Sequence, residues 1–380
     1  MDHQATTPVD PEVREAMLPF FSETFGNAAS KSHSFGWRAE AAVEAAREQV
    51  AACLGAESSE IFFSSGATES NNLALFGIAR ALPSRGKHLI TCATEHKAIL
   101  DPCAQLAKDG FSVTYLPVDR EGHIDLKKLK SAIQKDTILI SLMAANNEVG
   151  TLHPLKEIGD IAGAAGVLFH SDAAQAAGKI PIDVRKQHID LLSLSAHKIY
   201  GPKGIGALYV RKKTPPIRLE PIIYGGGHER GLRSGTLNVP AIVGMGAALK
   251  KAKRVMNEDS QRLYYLRQQL WEKLNTQIKN IHLNGPMEAR LPGNLNITFA
   301  GVPSERLMME MKDVAVSSGS ACTTADPKPS HVLKAMGLDD AAVRASIRIG
   351  LGRFSTEEEV DYVVRRVTEL VTKIRGPMTE

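Results

Sequence analysis

The sequence predicts an α/β protein: a large domain on a mostly parallel sheet sandwiched by helices, followed by a smaller α+β domain. Three observations carry this expectation. Short apolar runs alternate with helical patterns through the first two-thirds of the chain, the βαβα order of a parallel sheet. Near Asp190 the rhythm changes, and two strands follow with only a turn-rich segment between them. A helical pattern from about 239 to 278, charged on one side, is long enough to join two domains.

The elements follow in order. Residues 61–63 read as a strand, 68–81 as a helix, 88–91 as a strand and 99–108 as a helix. Strand 112–116, helix 126–134, strand 137–142, helix 154–165 and strand 167–170 continue the alternation. Strands 191–194 and 205–210 flank Ala196-His197-Lys198-Ile199-Tyr200-Gly201-Pro202. After the long helix come strand 294–299, helix 305–311, strand 314–316, a loop, strand 346–349 and an amphipathic helix 356–374. The domains are expected at 8–255 (large) and at 1–7 with 256–380 (small).

Composition narrows the class. With 380 residues, 43% of them apolar, the chain can bury a sizeable core, which argues against disorder. A net charge of +4 with only short basic clusters, such as Arg211-Lys212-Lys213, argues against a stable nucleic-acid track. No apolar stretch approaches the roughly 18 residues of a bilayer span, and the first residues lack the pattern of a secretory signal. The four cysteines contain no C-x-x-C pair, so a reducing compartment is expected.

Three segments point to chemistry. Ser64-Ser65-Gly66-Ala67-Thr68-Glu69-Ser70 lies at a strand–helix junction, where unpaired N–H groups and the positive dipole end suit a phosphate. An ordinary Ser/Thr cap is the alternative. Asp172 follows an apolar strand, at the carboxyl end where open α/β sheets place ligands. It can pair with a protonated ring nitrogen or simply cap a helix. Lys198 follows a buried-type strand among Ser195, His197 and glycines, and a lysine there can form an imine with a carbonyl. A surface loop lysine is the alternative. Together, a phosphate site, an aspartate and a lysine after parallel strands are what pyridoxal 5'-phosphate requires: a Schiff-base lysine and an acid that keeps the pyridine nitrogen protonated.

Further residues stand out singly. Cys322 lies among small and polar residues before Pro327 and Pro329, the composition of an exposed loop, where a thiol is nucleophilic. Cys53, Cys92 and Cys103 fall within helix or strand patterns and read as structural. His96 can stack on a ring or move a proton, or else cap a helix. Arg348 is a charge within an apolar strand and needs an anion, either a ligand carboxylate or a protein acid.

These segments resemble the NifS/IscS-type cysteine desulfurases, within the class V aminotransferase superfamily of fold-type I pyridoxal-phosphate enzymes. The resemblance runs from Gln4-Ala5-Thr6-Thr7-Pro8 to Leu351-Gly352-Arg353-Phe354. It rests on Gly66-Ala67-Thr68-Glu69-Ser70-Asn71, Thr94-Glu95-His96-Lys97, His197-Lys198-Ile199-Tyr200-Gly201-Pro202-Lys203-Gly204, Arg233-Ser234-Gly235-Thr236 and Ser318-Gly319-Ser320-Ala321-Cys322.

The resemblance implies roles at the matching positions. Lys198 would carry the internal aldimine, Asp172 would pair with the pyridinium nitrogen, and Gln175 would hydrogen-bond the ring hydroxyl. His96 would stack over the ring as acid and base, and Asn147 would contact the cofactor. Ala67, Thr68, Ser195 and His197 would surround the phosphate, with Thr236 of a neighbouring subunit, which implies a homodimer. Arg348 and Asn27 would bind the substrate carboxylate, and Cys322 would accept sulfur as a persulfide. L-cysteine would yield L-alanine, and the sulfur would pass to an IscU-like scaffold or a sulfurtransferase for iron–sulfur cluster assembly or tRNA thiolation. No metal ligand set is implied. A cytoplasmic location is expected, or the mitochondrial matrix for a processed eukaryotic form. One departure is Ala28, where proline is common.

Other readings are weaker. Cys322 in its Ser/Gly loop disfavours a selenocysteine lyase or an aminotransferase-like relative, since a transaminase needs no thiol there, and a carrier that merely kept the fold has no need of Lys198 and Asp172. A nucleotide-binding α/β protein lacks its glycine-rich motif here.

Overall fold

The computed structural model describes residues 1–82, 84–318 and 329–376. Seven strands form the larger sheet: β1 (Ile61–Ser64), β2 (His88–Cys92), β3 (Ser112–Leu116), β4 (Thr137–Ser141), β5 (Leu168–Asp172), β6 (Leu191–Ser195) and β7 (Gly206–Val210). Their order is β1-β7-β6-β5-β4-β2-β3. β3, β2, β4, β5 and β6 run parallel, and β7 is antiparallel to both β6 and β1. The carboxyl ends of β1, β2, β4, β5 and β6, and the entry to β7, therefore share one edge of the sheet.

Burial on both faces explains why these strands read as unbroken apolar runs. Alternate residues point to opposite faces. Ile61, Phe63, Ile140 and Leu192 join one core, with the Ser34–Leu54 and Leu155–Ala164 helices and the start of Val239–Gln277. Phe62, Leu139, Leu191 and Leu208 join another core, with the Ala67–Ala81 and Lys97–Lys108 helices. The edge strand β3 is the exception, with Ser112 and Tyr115 exposed.

The 39-residue Val239–Gln277 helix is unbroken. Its first turns pack in the large core through Ile242, Met245 and Leu249. Its last turns carry Leu266, Leu270 and Leu274 into a separate core with Val360, Val364 and Val367 of the Glu357–Arg375 helix. That second core covers a three-stranded antiparallel sheet of β8 (Ile281–Leu283), β9 (Asn294–Phe299) and β10 (Ser346–Gly350), ordered β10-β9-β8.

Two sequence expectations change. Residues 314–316 are not a strand. The free edge of β10 is shared between Ser317, which bridges Arg348, and Asp2, which bridges Gly350, so a single residue finds room where the apolar run promised three. Strand β8 and the Pro11–Met17 and Pro19–Ser22 helices were not foreseen, although Asp10 before Pro11 is a good helix start: its carboxylate accepts from Glu12 N at 3.0 Å. Among the described residues no helix is long and apolar enough to cross a membrane.

Candidate active site

The cleft begins where the Ala67–Ala81 helix leaves β1. Its first turn has Gly66 as N-cap and no side chain capping it, so the open amides can meet an anion. The ordinary Ser/Thr cap is thus not what this helix uses. Ser64 Oγ turns inward to Ser70 Oγ at 2.7 Å instead. Gly206 lets the helix start approach the sheet: a Cβ there would lie 2.4 Å from Leu194 O and 2.6 Å from Gly66 Cα. Glu69 accepts from Ser65 N at 3.0 Å and from Arg233 Nε at 3.0 Å, tying this turn to the Arg233-Ser234-Gly235-Thr236 segment.

At the end of β5, Asp172 is 6% exposed. One oxygen accepts from Asn71 Nδ2 at 2.7 Å, the other from Ala174 N at 2.9 Å. It does close a local turn, as the simpler reading has it, yet both donors are neutral and no ion pair reaches it among the described residues. Gln175, from the same turn, donates through Nε2 to Gln4 O at 2.9 Å.

β6 ends at Ser195 and runs into a short 3-10 turn, Ala196–Lys198. Lys198 Nζ donates to Gln4 O at 2.6 Å and Ala5 O at 2.7 Å. His197 Nδ1 lies 3.1 Å from Thr6 Oγ1, while Thr7 N and Oγ1 both donate to His197 O at 2.9 Å. Burial, then the charges of Lys198, Lys203 and Lys179, push the His197 ring down to about 4, so it is neutral at pH 7. The N-terminal segment thus braces the lysine turn, a role the sequence did not reveal.

His96 both faces the cleft and caps the Lys97–Lys108 helix, with Nδ1 accepting from Ala98 N at 3.1 Å. That acceptor role assigns the proton of the neutral ring to Nε2. Beside it, Glu95 is fully buried and accepts from Met143 N at 2.8 Å, and burial holds its carboxyl well above the usual range.

Arg348, 4% exposed on β10, donates to Asn147 O at 2.8 Å and pairs with Asp2 Oδ1 at 2.9 Å. The protein-acid partner considered above therefore exists. Asp2 Oδ2 also accepts from Ser317 Oγ at 2.7 Å. Among the described residues Arg348 Nε is buried without an acceptor. Next to Asn147, Glu148 is buried and accepts from Ser330 Oγ; burial pushes its carboxyl up to about 7.

These parts converge on one cleft of about 590 Å³. Ala67, Thr68, His96, Asn147, Asp172, Gln175, Ser195, His197, Lys198 and Arg348 all line it. Asn27 and Thr236 do not: Thr236 is exposed, and Asn27 is exposed with its side-chain oxygen on Ala29 N at 2.9 Å. Cys322 lies outside the described residues. Cys92 and Cys103 are buried and Cys53 half-buried, and burial pushes their thiols up to about 11, 12 and 11. Asn71 and Lys203 also line the cleft; both stand in the quoted motifs, and only their placement shows them at the site.

The donor set fits pyridoxal phosphate. Open amides at the helix start suit the phosphate, Asp172 lacks a cation that a pyridinium nitrogen would supply, and Lys198 lies in the same cleft.

Comparison with known proteins agrees. The aminotransferase class-V family matches residues 1–363. A cysteine desulfurase IscS from Anaeromyxobacter sp. (strain Fw109-5) is 58% identical over 375 residues, covering 99% of this chain and 93% of that protein. The solved structure of a NifS-like protein superposes with a TM-score of 0.91 at 40% identity, covering 97% of this chain and 98% of the other. The structure of SspA in complex with cysteine gives 0.79 at 38% identity, over 93% and 99% of the two chains. The chain belongs to the class-V aminotransferase family and, within it, to the pyridoxal-phosphate-dependent cysteine desulfurases.

Proposed function

We propose that the cleft converts L-cysteine to L-alanine and leaves the sulfur on Cys322 as a persulfide. The observation that carries this reading is the convergence of Lys198, Asp172, the open helix start and Arg348 on one cleft. Pyridoxal phosphate, when bound, supplies the electron sink for the amino-acid skeleton.

The chain's own residues do the rest. Ala67 and Thr68, with Ser195 and His197, would hold the phosphate, joined by Thr236 of a second subunit in a homodimer. Asp172 keeps the ring nitrogen protonated, and Gln175 and Asn147 orient the ring. His96, which lines the same cleft, would exchange protons through Nε2, worth on the order of 10²–10⁴ in rate. Lys198 holds the cofactor and moves the proton at the substrate α-carbon. Arg348 receives the substrate carboxylate.

The Cys322 thiolate then attacks the substrate sulfur. A sulfur–sulfur bond forms as the carbon–sulfur bond breaks; its electron pair goes to the β-carbon, which takes up a proton to become the alanine methyl group. The persulfide passes to an acceptor protein, an IscU-like scaffold or a sulfurtransferase, in the cytoplasm. Iron–sulfur cluster assembly and tRNA thiolation are the destinations. The same reading assigns residues 8–255 to a cofactor domain, and 1–7 with 256–380 to a small one.

Mass spectrometry of the loaded protein, after a brief exposure to L-cysteine and alkylation, tests this. One extra sulfur on the peptide containing Cys322 is the expected result. Sulfur on another cysteine, or on none while alanine appears, contradicts it.

A further inference from the structure

The turn that follows β5 carries Asp172, Gln175 and, four residues further on, Lys179. Lys179 is held by its backbone, because Ser260 Oγ of the long helix donates to Lys179 O at 3.0 Å. Its side chain does not line the cleft. It lines a small, partly open cavity that adjoins the cleft, shared with His3, Gln4 and Lys198. From there Lys179 Nζ donates to Gln175 Oε1 at 3.2 Å.

That contact acts on the same amide whose nitrogen Gln4 O already receives. The two ends of a glutamine amide have nearly the same shape and opposite hydrogen-bonding character. An ammonium has three donors and no acceptor, so it draws the oxygen. The nitrogen must then turn to the other side, where Gln4 O accepts it at 2.9 Å. Two independent contacts thus demand the same orientation.

We propose that Lys179 is a positioning residue for the cofactor: together with Gln4 O it holds the Gln175 amide so that its remaining N–H, and not its oxygen, meets the ring hydroxyl oxygen. This rests on the reading above that Gln175 faces that oxygen. Burial, then the charges of Lys198 and Arg348, push the Lys179 ammonium down to about 7. His3 and His197 also feel its charge, and Asp259 and Arg353 line the same cavity. The neutral amine could accept as well as donate, so the constraint is strongest below about pH 7.

The test reads the pH midpoint of the visible-absorption change in cofactor-loaded protein. That midpoint follows the proton shared between the ring oxygen and the lysine linkage. A donor on the oxygen lowers its proton affinity, so losing the donor raises the midpoint. Gln175→Leu is expected to raise it by about one pH unit, the worth of one hydrogen bond to a charged group. Lys179→Met should raise it by a similar amount, Lys179→Arg should restore the parent value, and the double variant should add little to Gln175→Leu. Should Lys179→Met misfold by near-ultraviolet circular dichroism, Lys179→Gln, whose amide can present either end to Gln175, carries the same expectation.

An unchanged midpoint in the Lys179 variants beside a shifted one in Gln175→Leu overturns the inference and leaves the reading of Gln175 standing. Additive shifts in the double variant also overturn it, because Lys179 would then act by charge alone. An unchanged midpoint in Gln175→Leu overturns both, since an amide that does not touch the cofactor has nothing to orient.

Discussion

Asp172 and Arg348 are buried charges on facing parts of one cleft, and the protein treats them in opposite ways. Asp172 ends a strand at the centre of the seven-stranded sheet, between β4 and β6, and is satisfied by two neutral amides. Arg348 sits on the outer strand of the small sheet and carries its own counter-ion, Asp2, together with the carbonyl of Asn147. An unneutralised buried charge costs several kcal/mol, so it suits a site whose partner stays bound. An arginine already paired, with one buried N–H left over among the described residues, can stand empty between visits of a small anion. The first arrangement matches a resident cofactor and the second a substrate that comes and goes.

Breaking the aspartate side should have the largest effect. Asp172→Asn keeps one oxygen for either Asn71 or Ala174 N and removes the charge that would hold the ring nitrogen protonated. Alanine formation should fall by roughly 10²–10⁴, the size of a lost acid–base contribution, with thermal stability lowered only by the one hydrogen bond lost, about 1 kcal/mol. A loss below tenfold would mean the carboxylate is a turn former only.

Breaking the arginine side should act on binding. Arg348→Lys keeps a charge but loses the planar fork. We expect KM for L-cysteine to rise by about ten- to a hundredfold, equivalent to about 1.5–3 kcal/mol for hydrogen bonds to a charged group, with kcat changed far less. A fall in kcat at unchanged KM would instead make Arg348 a structural tie between Asp2 and Asn147.

A smaller effect should come from Glu148, which separates structural from chemical roles near Arg348. Its folded value of about 7 lies above the unfolded one, so the native state binds the proton more tightly. The corresponding stability is present below about pH 4.5 and is lost as pH rises through about 7, at most about 3 kcal/mol. Glu148→Gln keeps an oxygen for Ser330 and removes the titration. Melting temperatures between pH 5 and 8 should therefore fall less in the variant than in the parent. Parallel curves would show that Glu148 does not titrate in this range.

What the sequence made legible follows from how local each signal is. The buried strands were readable because both of their faces are covered, and Asp172 and Lys198 because each follows such a strand directly. The partners that complete the site were not readable. Asp2 meets Arg348 across 346 positions, Lys198 meets Gln4 across 194, and nothing near either end marks the pairing. Lys179 lies four residues from Gln175 and was still silent, because a lysine after Ala-Ala-Gly looks like any exposed one until the cavity adjoining the cleft is seen. Residues 314–316 misled for a related reason: their apolar pattern is real, but Asp2 already occupies part of the strand edge they would need.

Whether this cleft desulfurates L-cysteine onto Cys322 is decided by alanine release from the cofactor-loaded protein and from Cys322→Ala, with a reductant present. Sustained alanine is expected from the parent and almost none from the variant, with both retaining the cofactor. Equal alanine from the two would contradict this expectation and remove Cys322 from the reaction.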